Sequence, residues 1–165
     1  QRDAFAQVVN FYGEKLYWQI RKMVLDHDDA NDLLQNTFLK AWMNIDYFRG
    51  EAKLSTWLYK IAINECITFL NRQRMQNNVS IDDTDVFLLE CLKGDEYFDG
   101  DAAQMKLQKA ILTLPEKQRA VFNMKYFDDM KYEDMSEIFG TSVGALKASY
   151  HHAVKKVEEF LTKDI

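Results

Sequence analysis

A chain of 165 residues that is 47% hydrophobic and 13% aromatic can pack one domain or two small ones, and this is not the composition of a disordered protein. A single proline and six glycines leave few breakers, which favours helices throughout. No apolar run approaches the ~20 residues of a membrane span, no secretory leader is visible, and Cys66 and Cys91 lack the pattern of a disulfide framework or a zinc site.

These features set the first expectations: a reducing cytoplasm, no metal and no cofactor. The net charge of −5 is unevenly spread. Residues 1–75 hold ten Lys/Arg against nine Asp/Glu, residues 76–103 hold one against eight, and residues 104–165 again hold ten against nine. The division predicts two small helical domains, 1–75 and 104–165, joined by an acidic linker, 76–103. Each flanking piece is nearly neutral, so neither should grip phosphate strongly alone. The opening residues QRDAF already sit inside a helical pattern, so the true N-terminus is expected upstream.

Phe5, Val8, Val9, Tyr12, Leu16, Ile20, Met23 and Val24 recur at the spacing that keeps one helix face dry, with Gly13 as an interruption. Asp26-His27-Asp28-Asp29 ends that helix and starts the next. Carboxylates at a helix start are favoured by its dipole, so the cluster needs no metal, and His27 reads as a solvated turn residue. The second helix has a dry face of Ala30, Leu33, Leu34, Phe38, Ala41, Trp42 and Ile45. Its wet face carries Asp32, Gln35, Asn36 and Lys40.

A turn-like patch from Asn44 to Leu54 follows, with Tyr47, Phe48, Arg49, Gly50 and Lys53. Ser55 is the expected N-cap of a third helix running toward Arg74. Leu58, Ile61, Ala62, Cys66, Phe69 and Leu70 form its dry face, with Cys66 as a small core residue. Trp57, Lys60, Asn64, Thr68 and Asn71 form the other. Aromatic rings, cations and amides gathered this way suit nucleic acid with unstacked bases, because any base stacks on a flat ring. The competing reading is that Phe48 and Trp57 are core plugs.

In the linker, Val86 to Lys93, between Asp85 and Gly94, is a candidate short helix. As a flexible coil, ~28 residues separate their ends by roughly 30 Å, which would let the domains move independently; the apolar run Val86–Leu92 is expected instead to pack between the domains of the free protein, with the linker acids near Arg72, Arg74 and Lys147. The last third restarts with Leu107, Ala110, Ile111 and Leu114. Pro115 suits the first turn of a helix carrying Val121, Phe122, Tyr126 and Phe127. Tyr132, Met135, Ile138 and Phe139 predict a short helix stopped by Gly140. Ser142 caps another with a dry face of Val143, Leu146, Tyr150, Ala153, Val157 and Phe160. Helix, glycine turn and helix is the helix-turn-helix pattern, although any αα-corner can imitate it. His151 and His152 are neighbours on one helix and do not point together as metal ligands.

The words DANDLLQNTFLKAW, FRGEAKLSTWLYKIAIN and RQR resemble the second domain of bacterial sigma factors of the extracytoplasmic-function group. LPEKQRAVFNMKYF and SVGALKASYHHAVKKV resemble their fourth domain. The resemblance implies an all-α, two-domain initiation factor that binds core RNA polymerase, then recognises and melts promoter DNA. Asp32, Gln35 and Asn36 would dock on the clamp helices of the polymerase, with Asn36 standing where glutamate is more usual. Phe48, Arg49, Lys53, Ser55, Trp57, Lys60, Asn64, Thr68, Arg72 and Arg74 would bind the minus-ten element, with a pocket for a flipped base. Ser142, Gly144, Ala145, Lys147, Ala148, His151 and Lys155 would face the minus-thirty-five element from the recognition helix. Ser149, His152 and Val154 stand where family members often carry basic residues, which implies less phosphate grip. An anti-sigma protein is a further implied partner. No nucleophile–base pair or phosphate loop is present, so the chain is expected not to be an enzyme or to take a small-molecule substrate. The alternatives are a helix-turn-helix regulator working without core polymerase, and an interaction protein without DNA contact.

Overall fold

The computed structural model describes residues 2–48, 50, 53–77 and 102–163. Seven α-helices account for most of them, and no strand occurs among the described residues. They are α1 (Arg2–Val24), α2 (His27–Met43), α3 (Leu54–Asn77), α4 (Ala102–Leu112), α5 (Glu116–Tyr126), α6 (Tyr132–Phe139) and α7 (Val143–Thr162). A single 3₁₀ turn, Ile45–Tyr47, follows α2. The candidate linker helix and Cys91 lie outside the described residues.

Helices α1, α2 and α3 pack on one another through the dry faces that their spacing predicts. Leu16, Ile20, Ala30, Leu58, Ala62, Cys66 and Leu70 are fully buried there. The helix α1 runs unbroken through Gly13. Its end is tied by a side chain. Leu25 takes a left-handed backbone, φ 65°, which a branched residue adopts only at a cost. Buried Arg21 holds that corner, its Nε donating to the Leu25 carbonyl at 2.7 Å and Nη1 to Tyr17 Oη at 2.9 Å.

Asp26 caps α2, accepting from the Asp29 amide at 3.0 Å, which satisfies one orphan donor of the first turn. His27 is therefore the first residue of α2 and not a free turn residue. Tyr17 Oη lies 2.6 Å from its Nδ1 and Asn31 Nδ2 lies 3.1 Å from its Nε2. Trp42 departs from the predicted dry face. It is 39% exposed and meets Phe5, which packs on the core, edge-on at 5.0 Å.

In the C-terminal half Pro115 is the N-cap of α5, one position before the predicted first turn. Gly140, at φ 66°, ends α6 with its amide 2.9 Å from the Ser136 carbonyl. Ser142 caps α7, accepting from Ala145 N at 3.1 Å. Ala110, Ile111, Leu114, Phe122, Ala153 and Val157 make a local core under α4, α5 and α7.

The two halves also meet directly. Ala120, Val121, Met124, Met135, Ile138 and Leu146 belong to the same buried cluster as Leu16, Ile20, Met23 and Leu58. Helix α6 lies against α3, and α5 against α1. The two halves share a core.

Candidate nucleic-acid and polymerase-docking surfaces

The loop before α3 sets the first surface. Phe48 and Trp57 are both half-buried, their ring centroids 5.1 Å apart at 37°. Trp57 leans on the shared core, while Phe48 packs on Trp57, so the pair is partly plug and partly open. Gly50 takes a left-handed backbone, φ 74°, which glycine adopts without strain. Arg49 lies outside the described residues.

Helix α3 begins at Leu54, so Ser55 is in its first turn and is not its cap. At 100° per residue Ser55 stands about 160° round the axis from Trp57, at the loop end of the helix and off its outer stripe. That stripe is continuous. Trp57 is followed by Lys60, Asn64, Thr68 and Arg72 on successive turns, the last four exposed. Lys53 is exposed too, with Nζ 3.3 Å from Asp134 Oδ2. Arg74 points away from the stripe. It donates to Asn71 Oδ1 and is ion-paired with Glu116 at 2.7 Å.

The second surface is the wet face of α2. Asp32, Gln35 and Asn36 are all exposed, and Lys40 pairs with Glu65 of α3. Sequence reasoning missed what continues this patch. Leu39 is 57% exposed and Met43 68%, four residues apart on the same stripe as Gln35, with Tyr47 at 77% just beyond. A signal was available, since Leu39 falls outside the dry-face spacing of its own helix.

The third surface is the outer face of α7. Ser142, Gly144, Ala145, Lys147, Ala148, His151 and Lys155 are all exposed. Lys147 Nζ sits 5.6 Å from the Tyr132 ring, and Lys156 donates to Gln118 at 3.1 Å. Small side chains at 144, 145 and 148 let the helix come close to a groove floor. The His151 and His152 rings stand 6.1 Å apart and tilted, as helical neighbours do. No group of three or more His, Cys, Asp or Glu able to hold a metal occurs among the described residues.

Burial, then the neighbouring Asp26, Asp32 and Asp28, raise the Asp29 carboxyl above the usual range. Burial raises Asp128, opposed by Lys22 and by a hydrogen bond from Gln19. Burial pushes the Cys66 thiol up to about 12, which leaves it an inert core group.

Two family models match the chain, Sigma-70 region 2 over residues 8–75 and Sigma-70 region 4 over residues 104–157. The extracytoplasmic-function (ECF) RNA polymerase sigma factor SigW of Bacillus subtilis is 31% identical over 91% of this chain and 84% of its own length. The chain belongs to the extracytoplasmic-function sigma factors. RNA polymerase sigma factor SigV of the same organism is 30% identical, over 86% of this chain and 81% of its own. The RNA polymerase sigma-H factor of Pseudomonas aeruginosa is 27% identical over 97% and 87%.

Solved structures give the same fold. The sigma factor RpoE of Bartonella quintana, in complex with the anti-sigma factor NepR, superposes with a TM-score of 0.72 at 24% identity, covering 98% of this chain and 99% of that one. CnrH, in complex with the cytosolic domain of CnrY, gives 0.70 at 21%, covering 100% and 92%. As a sigma factor, the chain carries both regions through which this family directs promoter-specific initiation by RNA polymerase. No described helix is long and apolar enough to cross a membrane.

Proposed function

We propose that this sigma factor divides its work among the three surfaces. Residues 1–75 dock on core polymerase through Asp32, Gln35, Asn36, Leu39 and Met43, and read and melt the minus-ten element. Phe48 and Trp57 stack a base flipped from the non-template strand, with Asn64 and Thr68 at base edges and Arg49, Lys53, Lys60, Arg72 and Arg74 on phosphates. Ser55 closes the loop end of that pocket. Residues 104–165 read the minus-thirty-five element through the exposed face of α7, and residues 76–103 join the two as an acidic tether. The protein acts in the cytoplasm, not as an enzyme on its own and without a cofactor. An anti-sigma protein is a further partner, by analogy with the complex of RpoE with the anti-sigma factor NepR.

The observation that carries this reading is the outer stripe of α3. An open aromatic pair leads directly into Lys60, Asn64 and Thr68, all facing solvent on one helix face. A solvated helix has no use for a half-exposed indole at the head of such a row. Extruding a base costs a few kcal/mol, which stacking at ~1–3 kcal/mol and edge hydrogen bonds offset. Asn64→Ala should change base preference at one minus-ten position in run-off transcription from a randomised element. Wild-type preference in that variant would remove the assignment. Gel shift with and without core polymerase tests the regulator alternative, which requires tight duplex binding by the chain alone.

A further inference from the structure

One cavity belongs to none of the three surfaces. It holds about 590 Å³ between α1, α3 and the turn joining α5 to α6, within the ~300–1,000 Å³ range of small-ligand sites. Phe11, Trp18, Tyr59 and Met130 give it apolar walls. Its charged groups are Glu14, Asp128 and Lys15, two carboxylates against one ammonium. Phe11 is 67% exposed and Trp18 41%, and both lie on one outer stripe of α1, two turns apart. Lys15 Nζ stands 5.5 Å from the Phe11 ring, so this stripe already accommodates a cation against an aromatic face.

Asp128 is the anchored group of this cavity. Its turn is fixed by Asp129 N donating to the Lys125 carbonyl and Met130 N to the Met124 carbonyl, both at 3.1 Å, and by Lys125 Nζ donating to the Met130 carbonyl at 3.1 Å. Asp129 takes a left-handed backbone there, φ 45°, which persists only where the surroundings hold it. Asp128 Oδ2 accepts from buried Gln19, and Oδ1 lies 3.9 Å from Lys22 Nζ. Lys22 is shared with the Phe127 ring, 4.5 Å from its Nζ. A carboxylate has about four lone-pair sites, so these two contacts leave room for a further donor. Burial raises the Asp128 carboxyl against the opposing pull of Lys22 and Gln19, the state in which a second cation is favourable. Burial and then the Asp128 charge raise the Tyr59 hydroxyl, which keeps it a neutral donor beside that carboxylate.

We propose that this cavity binds a small aromatic cation, an aryl amidine or aryl ammonium, with its charge on Asp128 and its ring against Trp18 and Tyr59. An amidinium offers a carboxylate two parallel N–H donors, and indole and phenol faces attract both the ring and its charge. An anion meets two carboxylates there, and a neutral apolar molecule covers Asp128 without pairing it, which costs binding. The sigma factor thus carries a small-molecule site apart from the surfaces assigned to DNA and polymerase.

The test titrates benzamidine into the full chain by nuclear magnetic resonance. Affinity is read from the ligand's own resonances, and the site from the indole N–H resonances of Trp18, Trp42 and Trp57. A ligand of about nine non-hydrogen atoms is expected to bind at roughly 0.1–1 mM. The Trp18 resonance should shift saturably while those of Trp42 and Trp57 hold. Benzamide and benzoate, the neutral and anionic counterparts, should bind at least about 10-fold more weakly. Asp128→Asn keeps an acceptor for Gln19 and should weaken benzamidine about 10-fold or more. Trp18→Ala, at an exposed position, should weaken it about 3- to 10-fold and serves if Asp128→Asn melts early. No saturable binding below about 10 mM, equal affinity for benzamide, a shift confined to Trp42 or Trp57, or undiminished affinity in a folded variant would overturn the proposal.

Discussion

The exposed apolar stripe of α2 permits a numerical test of polymerase docking. Leu39 and Met43 are 57% and 68% exposed, and both lie beside Gln35 and Asn36. Complete burial of a Leu or Met side chain is worth ~1.5–3 kcal/mol, so covering the exposed fractions yields ~2–4 kcal/mol for the pair. Leu39→Gln with Met43→Gln keeps the helix propensity and removes that term. Affinity for core polymerase should fall roughly 30- to 1,000-fold, read by competition against a labelled wild-type chain. Thermal stability should hardly move, because exposed substitutions of this kind usually stay within ±0.5 kcal/mol. An affinity loss under ~3-fold would refute the reasoning, since hot spots of this size carry most of an interface's binding energy. So would a loss of affinity matched by a loss of fold.

The Cys66 thiol, pushed up to about 12 by burial, ties stability to alkaline pH. Its folded pKa lies above the unfolded one, so the stabilisation is complete below the ordinary thiol value and drains away as pH rises toward 12. Denaturant unfolding should show a loss of about 1.5–2 kcal/mol between pH 8 and pH 10 that Cys66→Ala removes, and equal slopes in the two proteins would contradict the burial. Arg21→Met should cost ~1–3 kcal/mol by leaving the buried Leu25 carbonyl without its donor. A change under 0.5 kcal/mol in urea unfolding would show that the corner does not depend on that hydrogen bond.

Local features were legible in the sequence because their causes are local. The stop at Gly140 and the cap at Ser142 follow from a left-handed backbone and an orphan amide, each settled within four residues. The dry faces of α1 and α3 follow from period alone. Ser55 was misplaced because Leu54 already joins the helix, an end effect of one residue. Trp42 satisfies the dry-face spacing, yet it is 39% exposed, covered on one side by Phe5. The contact between halves left no local trace. Met135 and Ile138 look like the inner face of a helix-turn-helix, and period cannot say that this face is shared with α3. The partner of Arg74 is Glu116, 42 positions on, which no local pattern indicates. Among the candidate site residues, the exposed stripes of α2, α3 and α7 were readable as faces; the paired states of Lys53 and Arg74 were not.

The shared core also bears on how the protein is made. The face of α3 leaves the ribosome about 60 residues before α6 is complete, since α3 ends at Asn77 and α6 at Phe139. At 5–20 residues per second that is an interval of about 3–12 s during which Leu58 and Ala62 lack their later partners. A nascent chain is thus born with its N-terminal half uncovered, and the last helices to be synthesised close it.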